Sequence, residues 1–262
     1  MIGRLGRSRL QVVLRRSGPV VTVSDAADVL KLSSAKAAQL LARWHRQGWL
    51  KRLRRGIYAP VPLESTPADS TLSRPWILVP VLFDPAYVGG WSAAEHWHLT
   101  EQIFRDTCVF TARDLRRRRI SVEGTTFVLK QTTHFFGLIA LWEGKAKIPI
   151  SDPSRTLIDM LADPSAGGGI RHVESCLKNY LASSEGNPRQ LIEYALKRKN
   201  GAVYKRLGFL LERSNNIAPE ILNACRGNMT MGNAALDPSL PRERMITRWR
   251  LWVPVSWAEE EK

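Results

Sequence analysis

The 262-residue chain has three cysteines, Cys108, Cys176 and Cys225, an odd number, far apart and without a CxxC pair. That spacing excludes a disulfide framework and a thiolate zinc site, and it predicts reduced packing residues in a cytoplasmic protein. No run of about 18 apolar residues occurs, so no spanning helix is expected, and Met1-Ile2-Gly3-Arg4 leads into no signal-peptide core. There is no internal repeat of fixed period. The GxGxxG and GxxxxGK[ST] phosphate-loop spacings are missing, and no Ser/His/Asp or Cys/His nucleophile arrangement can be drawn. Acidic charge is short: 24 Asp and Glu stand against 39 Lys and Arg, a net charge of +15 that favours an anionic partner. What the chain does not lack is apolar matter. A hydrophobic content of 44% with nine Trp excludes a largely disordered protein, and the length suffices for two domains with cores of their own.

The positive charge is concentrated. Residues 1–62 hold 13 Lys and Arg against Asp25 and Asp28, a net of +11; the remaining 200 residues hold 26 basic and 22 acidic, a net of +4. A basic N-terminal quarter on a nearly balanced body is the footprint of a nucleic-acid module joined to something else. We therefore divide the chain into a unit at 1–62, a polar linker at 63–74 (LESTPADSTLSR) and a second domain at 75–262. The apolar pattern of the first helix (Leu5, Leu10, Val12, Val13, Leu14) fits a packed helix of such a unit better than a membrane-surface anchor.

Within the first unit, residues 22–58 read as two short helices, a tight turn and a basic hairpin. Arg4 to Arg16 forms a preceding helix, stopped by Ser17-Gly18-Pro19. Ser24 is the expected N-cap of the next helix, and Leu32-Ser33-Ser34 ends it and caps another. In that third helix Ala37, Leu40, Leu41 and Trp44 follow the i, i+3, i+4, i+7 stripe of a helix lying on a core. Ser34, Lys36, Gln39, Arg43 and Arg46 are left for the outer side. Gly48 closes the helix, and WLKRLRRGIYAPV follows as a strand pair carrying Lys51, Arg52, Arg54 and Arg55, with Val20–Val23 able to add a short strand. Positioning helix, recognition helix, then basic wing is the order of a winged helix-turn-helix, so these nine residues are the candidate contacts to double-stranded DNA.

The second domain changes character along its length. Pro75–Phe83 is apolar and fits helix or strand. Strands are expected at Tyr87-Val88, Thr107–Thr111, Ile120–Val122, Thr125–Leu129, Phe136–Leu138 and Lys147–Ile150, with a helix at WSAAEHWHL. From Ser151-Asp152-Pro153, a helix-start signal, the period is helical: Ile170–Leu181, Pro188–Lys199, Ala202–Glu212 and Pro219–Cys225 follow. Arg248–Val253 reads as a last strand and Ala258–Lys262 as a solvated acidic tail. Strands followed by helices predict an α+β class: a winged helix-turn-helix, then a mixed domain ending in a helical bundle.

Other chemistry is thin. His96 and His98, two apart on a helix, face different ways and read as structural. Gly167-Gly168-Gly169 before a helix reads as a flexible turn. Asp106, Glu123 and Lys130 straddle strands in the loose manner of a nuclease core, which leaves a winged-helix-targeted nuclease-like enzyme as an alternative reading. The run Arg116, Arg117, Arg118 and Arg119, with Arg113 just before it, is either a solvated loop or a second patch contacting phosphate or a partner; an RNA-binding role for it is a weaker third reading. No metal or cofactor site is predicted.

Several segments in order resemble the AbiEi antitoxins of type IV toxin–antitoxin systems: Arg54-Arg55-Gly56-Ile57-Tyr58, Gly90–Thr100, Val109-Phe110-Thr111, Ser151–Asp159, Gly169–Val173 and Lys205–Glu212. The resemblance spans about residues 5–215, and nothing after Asn216 is matched. It implies a two-domain bacterial DNA-binding repressor without catalysis, binding an inverted-repeat operator of its own operon. Ser34–Arg46 would be the recognition helix and Lys51–Tyr58 the wing. It further implies a C-terminal domain that neutralises a separately encoded nucleotidyltransferase toxin without a stable complex. A solitary regulator with no toxin partner is the alternative within the same family.

Overall fold

The structure, a computed structural model, describes residues 4–61, 75–214 and 217–259. The expected linker at 63–74 lies outside the described residues, as does most of the expected acidic tail. The protein is of mixed α+β class, in the order helices, strand pair, sheet, helices.

The N-terminal unit comprises α1 (Arg4–Ser17), β1 (Val21–Thr22), α2 (Val23–Leu30), α3 (Ser34–Arg46), β2 (Leu50–Arg54) and β3 (Ile57–Pro60), with an antiparallel sheet in the order β1-β3-β2. The cap of α2 is Thr22, not Ser24. The Thr22 hydroxyl accepts from the Asp25 amide at 3.1 Å, and the Asp25 carboxylate accepts from the Thr22 amide at 2.9 Å. Three residues after Ser24 stands Ala27, which cannot return a hydrogen bond, so the reciprocal box forms two residues earlier. Leu10, Val13, Val21, Ala26, Ala37, Leu41, Trp44, Leu50 and Tyr58 make this unit's own core. Of the expected α1 stripe, Leu5 and Val12 are instead exposed, so only a narrow face of that helix is packed.

The body opens with a 3-10 turn (Pro75–Leu78) and α4 (Val79–Leu82), so the ambiguous apolar stretch is helical. It continues through β4 (Ala86–Val88), α5 (Gly90–His96), β5 (Thr107–Thr111), β6 (Arg119–Val122), β7 (Thr125–Gln131), β8 (Leu138–Glu143) and β9 (Ala146–Ser151). These strands form one mixed sheet in the order β6-β7-β5-β4-β9-β8. Phe136 and Gly137, expected in a strand, precede β8; Gly137 has φ +60° and an added Cβ would lie 2.8 Å from the Tyr194 ring, so it serves as a tight turn. Both faces of the central strands are covered. Val88, Val109, Phe127, Leu129, Ile148 and Ile150 face one cluster, while Tyr87, Cys108 and Phe110 face another. Period-two alternation therefore buries all five residues of β5.

The helical part is α6 (Pro153–Ala162), α7 (Ile170–Ala182), α8 (Pro188–Arg198), α9 (Gly201–Glu212) and α10 (Pro219–Gly227). Asp152 caps α6, its carboxylate accepting from the Arg155 amide at 2.7 Å, while Ser151 ends β9. Every residue from Ser154 to Leu161 is buried, so α6 is the axis around which the others pack. A small sheet in the order β10-β12-β11 closes the chain: β10 (Ala234–Ala235), β11 (Arg244–Ile246) and β12 (Leu251–Val253), followed by α11 (Val255–Glu259). The expected strand at 248–253 is shorter because a 3-10 turn ends at Trp249 and Arg250 takes φ +50°. No helix among the described residues is long and apolar enough to cross a membrane.

The two parts touch. Val20 is buried in the core cluster that lies under α4 and one sheet face, and Leu53 and Ile57 pack against it. Lys51 is ion-paired with Glu123, and the Lys145 ammonium donates to the Arg15 carbonyl.

Candidate nucleic-acid interface

The outer face of α3 follows from what its inner face buries. Ala37, Leu41 and Trp44 are all but inaccessible and Leu40 is half-buried, so Lys36, Gln39, Arg43 and Arg46, offset around the 3.6-residue turn, are exposed, as is Ser34. The Ser33 hydroxyl accepts from the Lys36 amide at 3.4 Å and starts the helix. At the other end His45 Nδ1 lies 3.0 Å from the Leu50 carbonyl, tying the helix terminus to the first wing strand.

The wing sorts its own cations. Burial alternates along β2: Lys51 and Leu53 turn towards the body, while Arg52 and Arg54 are exposed, with Arg55 exposed in the turn beside Gly56 at φ +79°. Lys51 thus stands apart from the other candidate contacts, paired with Glu123. Arg52, Arg54 and Arg55 have no ion-pair or hydrogen-bond partner for their side chains among the described residues, and a solvated cation row on a hairpin suits phosphates.

The second basic patch divides likewise. Arg113 donates to the Asp84 carbonyl at 2.7 Å and to the Leu82 carbonyl at 2.9 Å, so it buttresses its loop. Arg119 begins β6 and pairs with Asp106, and the Arg118 carbonyl accepts from the Leu129 amide at 2.8 Å. Arg116 and Arg117 are exposed, and they line a groove of about 640 Å³ that Arg54 of the wing also lines.

The remaining candidates are absorbed by structure. Asp106, Glu123 and Lys130 do not converge: they pair with Arg119, Lys51 and Asp163 respectively. Burial pushes the Asp163 carboxyl up, but hydrogen bonds from Lys130 and Ser165 hold it below the usual range. Among the described residues no three His, Cys, Asp or Glu side chains gather as a metal site. His98 lies beyond α5 at φ +54°, so the two histidines do not share a helix after all. The amide of Ile170, which follows Gly167-Gly168-Gly169, donates to the Asp237 carboxylate at 2.9 Å, so a carboxylate holds the position a bound phosphate would take. All three cysteines are buried, and burial pushes the Cys176 and Cys225 thiols up to about 12, as befits packing residues.

Sequence reasoning missed the buried polar centre of the body. Arg155 on α6 donates from Nε to Asp159 at 2.9 Å and from Nη2 to the Tyr87 hydroxyl at 2.9 Å, and Tyr87 donates to Asp159 at 2.7 Å. Its guanidinium lies 3.9 Å over the Phe136 ring, and Arg198 approaches Asp159 at 3.5 Å. Burial opposes its charge, but Asp159 and Tyr87 favour it more, and the Arg155 pKa is raised. The available signal was an Arg and an Asp four apart in an otherwise apolar helix.

Residues 8–61 match the family model described as "Transcriptional regulator, AbiEi antitoxin". No curated protein sequence matches the chain. Among solved structures, the RV2827C protein from Mycobacterium tuberculosis is similar at a TM-score of 0.58 and 16% identity, covering 94% of this chain and 90% of that one. At that identity the likeness is one of fold, and it extends across both parts of the molecule.

Proposed function

We propose that this chain, whose residues 8–61 match the AbiEi antitoxin regulators, is a DNA-binding repressor of its own operon and the antitoxin of a type IV pair. The observation that carries the DNA half is the exposed row Lys36, Gln39, Arg43 and Arg46 on a helix whose other face is core, beside a wing presenting Arg52, Arg54 and Arg55. In this reading α3 enters the major groove of an inverted-repeat operator and the wing contacts the backbone. Gln39 pairs with adenine, and Lys36 or Arg43 with guanine. Residues 1–62 do this work, and residues 75–262 oppose a nucleotidyltransferase toxin without forming a stable complex with it. The antitoxin role rests on the description of the family matched at residues 8–61, and the nature of the toxin on the resemblance of the sequence to that family.

The test separates base reading from backbone contact. Each good bidentate pair discriminates by about 1–3 kcal/mol, so Gln39→Ala with Arg43→Ala should collapse the operator-to-random affinity ratio while leaving most non-specific affinity. Arg54→Ala with Arg55→Ala should weaken all duplexes alike, flattening the plot of log K against log salt by about 0.9 for each lost phosphate contact. Affinities of the purified variants across a salt series decide it. A salt-independent full-length protein, or a folded Gln39/Arg43 variant with the parental ratio, would sink the assignment.

A further inference from the structure

We propose that the groove between wing and body is a second phosphate-binding site, in which Arg116 and Arg117 grip the same duplex backbone that the wing's Arg54 contacts. This rests on the DNA-binding reading and extends the footprint beyond the N-terminal unit. Three independent observations carry it. The first is placement: Arg54, Arg116 and Arg117 line one groove, although more than 60 residues separate Arg54 from the other two in sequence. Next comes the division of labour within the arginine run. Arg113 is spent on two backbone carbonyls and Arg119 on Asp106, which hold the loop in place. Arg116 and Arg117 are exposed with no partner for their side chains among the described residues. A loop pinned at both ends, presenting two unpaired guanidiniums, is a preorganised anion site, since the ordering of its backbone is not left to the ligand.

The third observation is that the seam fixes the spacing. Val20, Leu53 and Ile57 pack into the body's cluster, and Lys51–Glu123 and Lys145 to the Arg15 carbonyl cross the same junction. Leu53 and Arg54 are adjacent on β2, so packing the first onto the body holds the second at the groove's edge. A phosphodiester strand brought in by the wing therefore meets the body's arginines without any rearrangement of the two parts. Lys51, on the alternate face of the strand, is used to secure that geometry.

The test uses the full chain carrying Arg116→Ala and Arg117→Ala, a random duplex and an operator duplex, over a salt series. Both side chains are exposed, and matching thermal melts of parent and variant check that the fold is kept. Two lost phosphate contacts should lower the slope of log K against log salt by about 1.8, with the operator-to-random ratio unchanged. Arg116→Lys with Arg117→Lys, which keeps the charges, should restore most of the slope. If the Ala variant keeps the parental slope while Arg54→Ala with Arg55→Ala flattens it, the groove proposal fails and the wing reading stands. If neither variant alters a salt-independent slope, both fail. Saturable binding of ATP to the parent, lost in the Ala variant with no change in duplex slope, would make the groove a small-ligand site and overturn the proposal.

Discussion

Among single residues, Asp159 carries the heaviest consequence. It is fully buried beside Arg155, which is also fully buried, and it accepts from the Tyr87 hydroxyl. Removing the carboxylate leaves the Arg155 guanidinium without its counter-charge where water cannot reach it. Asp159→Ala should therefore cost about 3–5 kcal/mol, the range for breaking one side of a buried ion pair. Urea unfolding of the purified variant measures this, and a loss below about 1 kcal/mol would show that the pair is not the anchor of α6. At the same scale, Lys36, Gln39 and Arg43 were legible in sequence because four apolar neighbours, Ala37, Leu40, Leu41 and Trp44, dictate which side of the helix they occupy. Arg155 was not, because its partner Tyr87 lies 68 positions away and only the folded sheet brings them together.

Elements begin where the local chemistry says, provided the reciprocal partner is also counted. Asp152 and Ser33 cap their helices from the expected start signals, whereas Thr22 displaced Ser24 because only Thr22 finds Asp25 at the third position. The close packing of α9 yields a prediction of its own. Gly208 lies against Trp249, and an added Cβ would stand 2.0 Å from the indole ring. In a solvated helix Gly→Ala gains roughly 1 kcal/mol of propensity. Here the clash dominates, so Gly208→Ala should be net destabilising by about 1–3 kcal/mol, the usual cost of overpacking a filled core. A denaturant midpoint at or above the parent's would show that Trp249 can move aside. The approach of α9 to the 3-10 turn at Thr247–Trp249 was invisible in sequence, since no period or cap relates the two segments.

For the whole molecule, the question is how far the N-terminal unit stands alone. Its own core of nine buried residues, Trp44 and Leu41 among them, predicts that a fragment of residues 1–62 folds. Yet Val20, 5% exposed, is buried in the body's core cluster, and Leu53 and Ile57 pack against that cluster. Fully burying such a side chain contributes about 1.5–3 kcal/mol, so stripping the body from these three, two of them only half-buried, should lower the fragment's stability by a few kcal/mol. Differential scanning calorimetry of fragment and full chain compares the two directly. A fragment melting at or above the corresponding transition of the full chain would mean that the seam contributes nothing.

The sequence by itself determined the α+β class, the basic winged unit, the buried and exposed faces of α3, and the caps of α3 and α6. Each of these follows from neighbours within about one or two helical turns or one hairpin, where periodicity and capping act directly. Only the tertiary structure decided that Lys51 serves the seam, that Arg113 and Arg119 brace a loop, and that Arg116 and Arg117 share a groove with Arg54. Charge is printed in the sequence, but whether a charge is free or paired depends on which distant carboxylate or carbonyl the fold brings within about 3 Å of it.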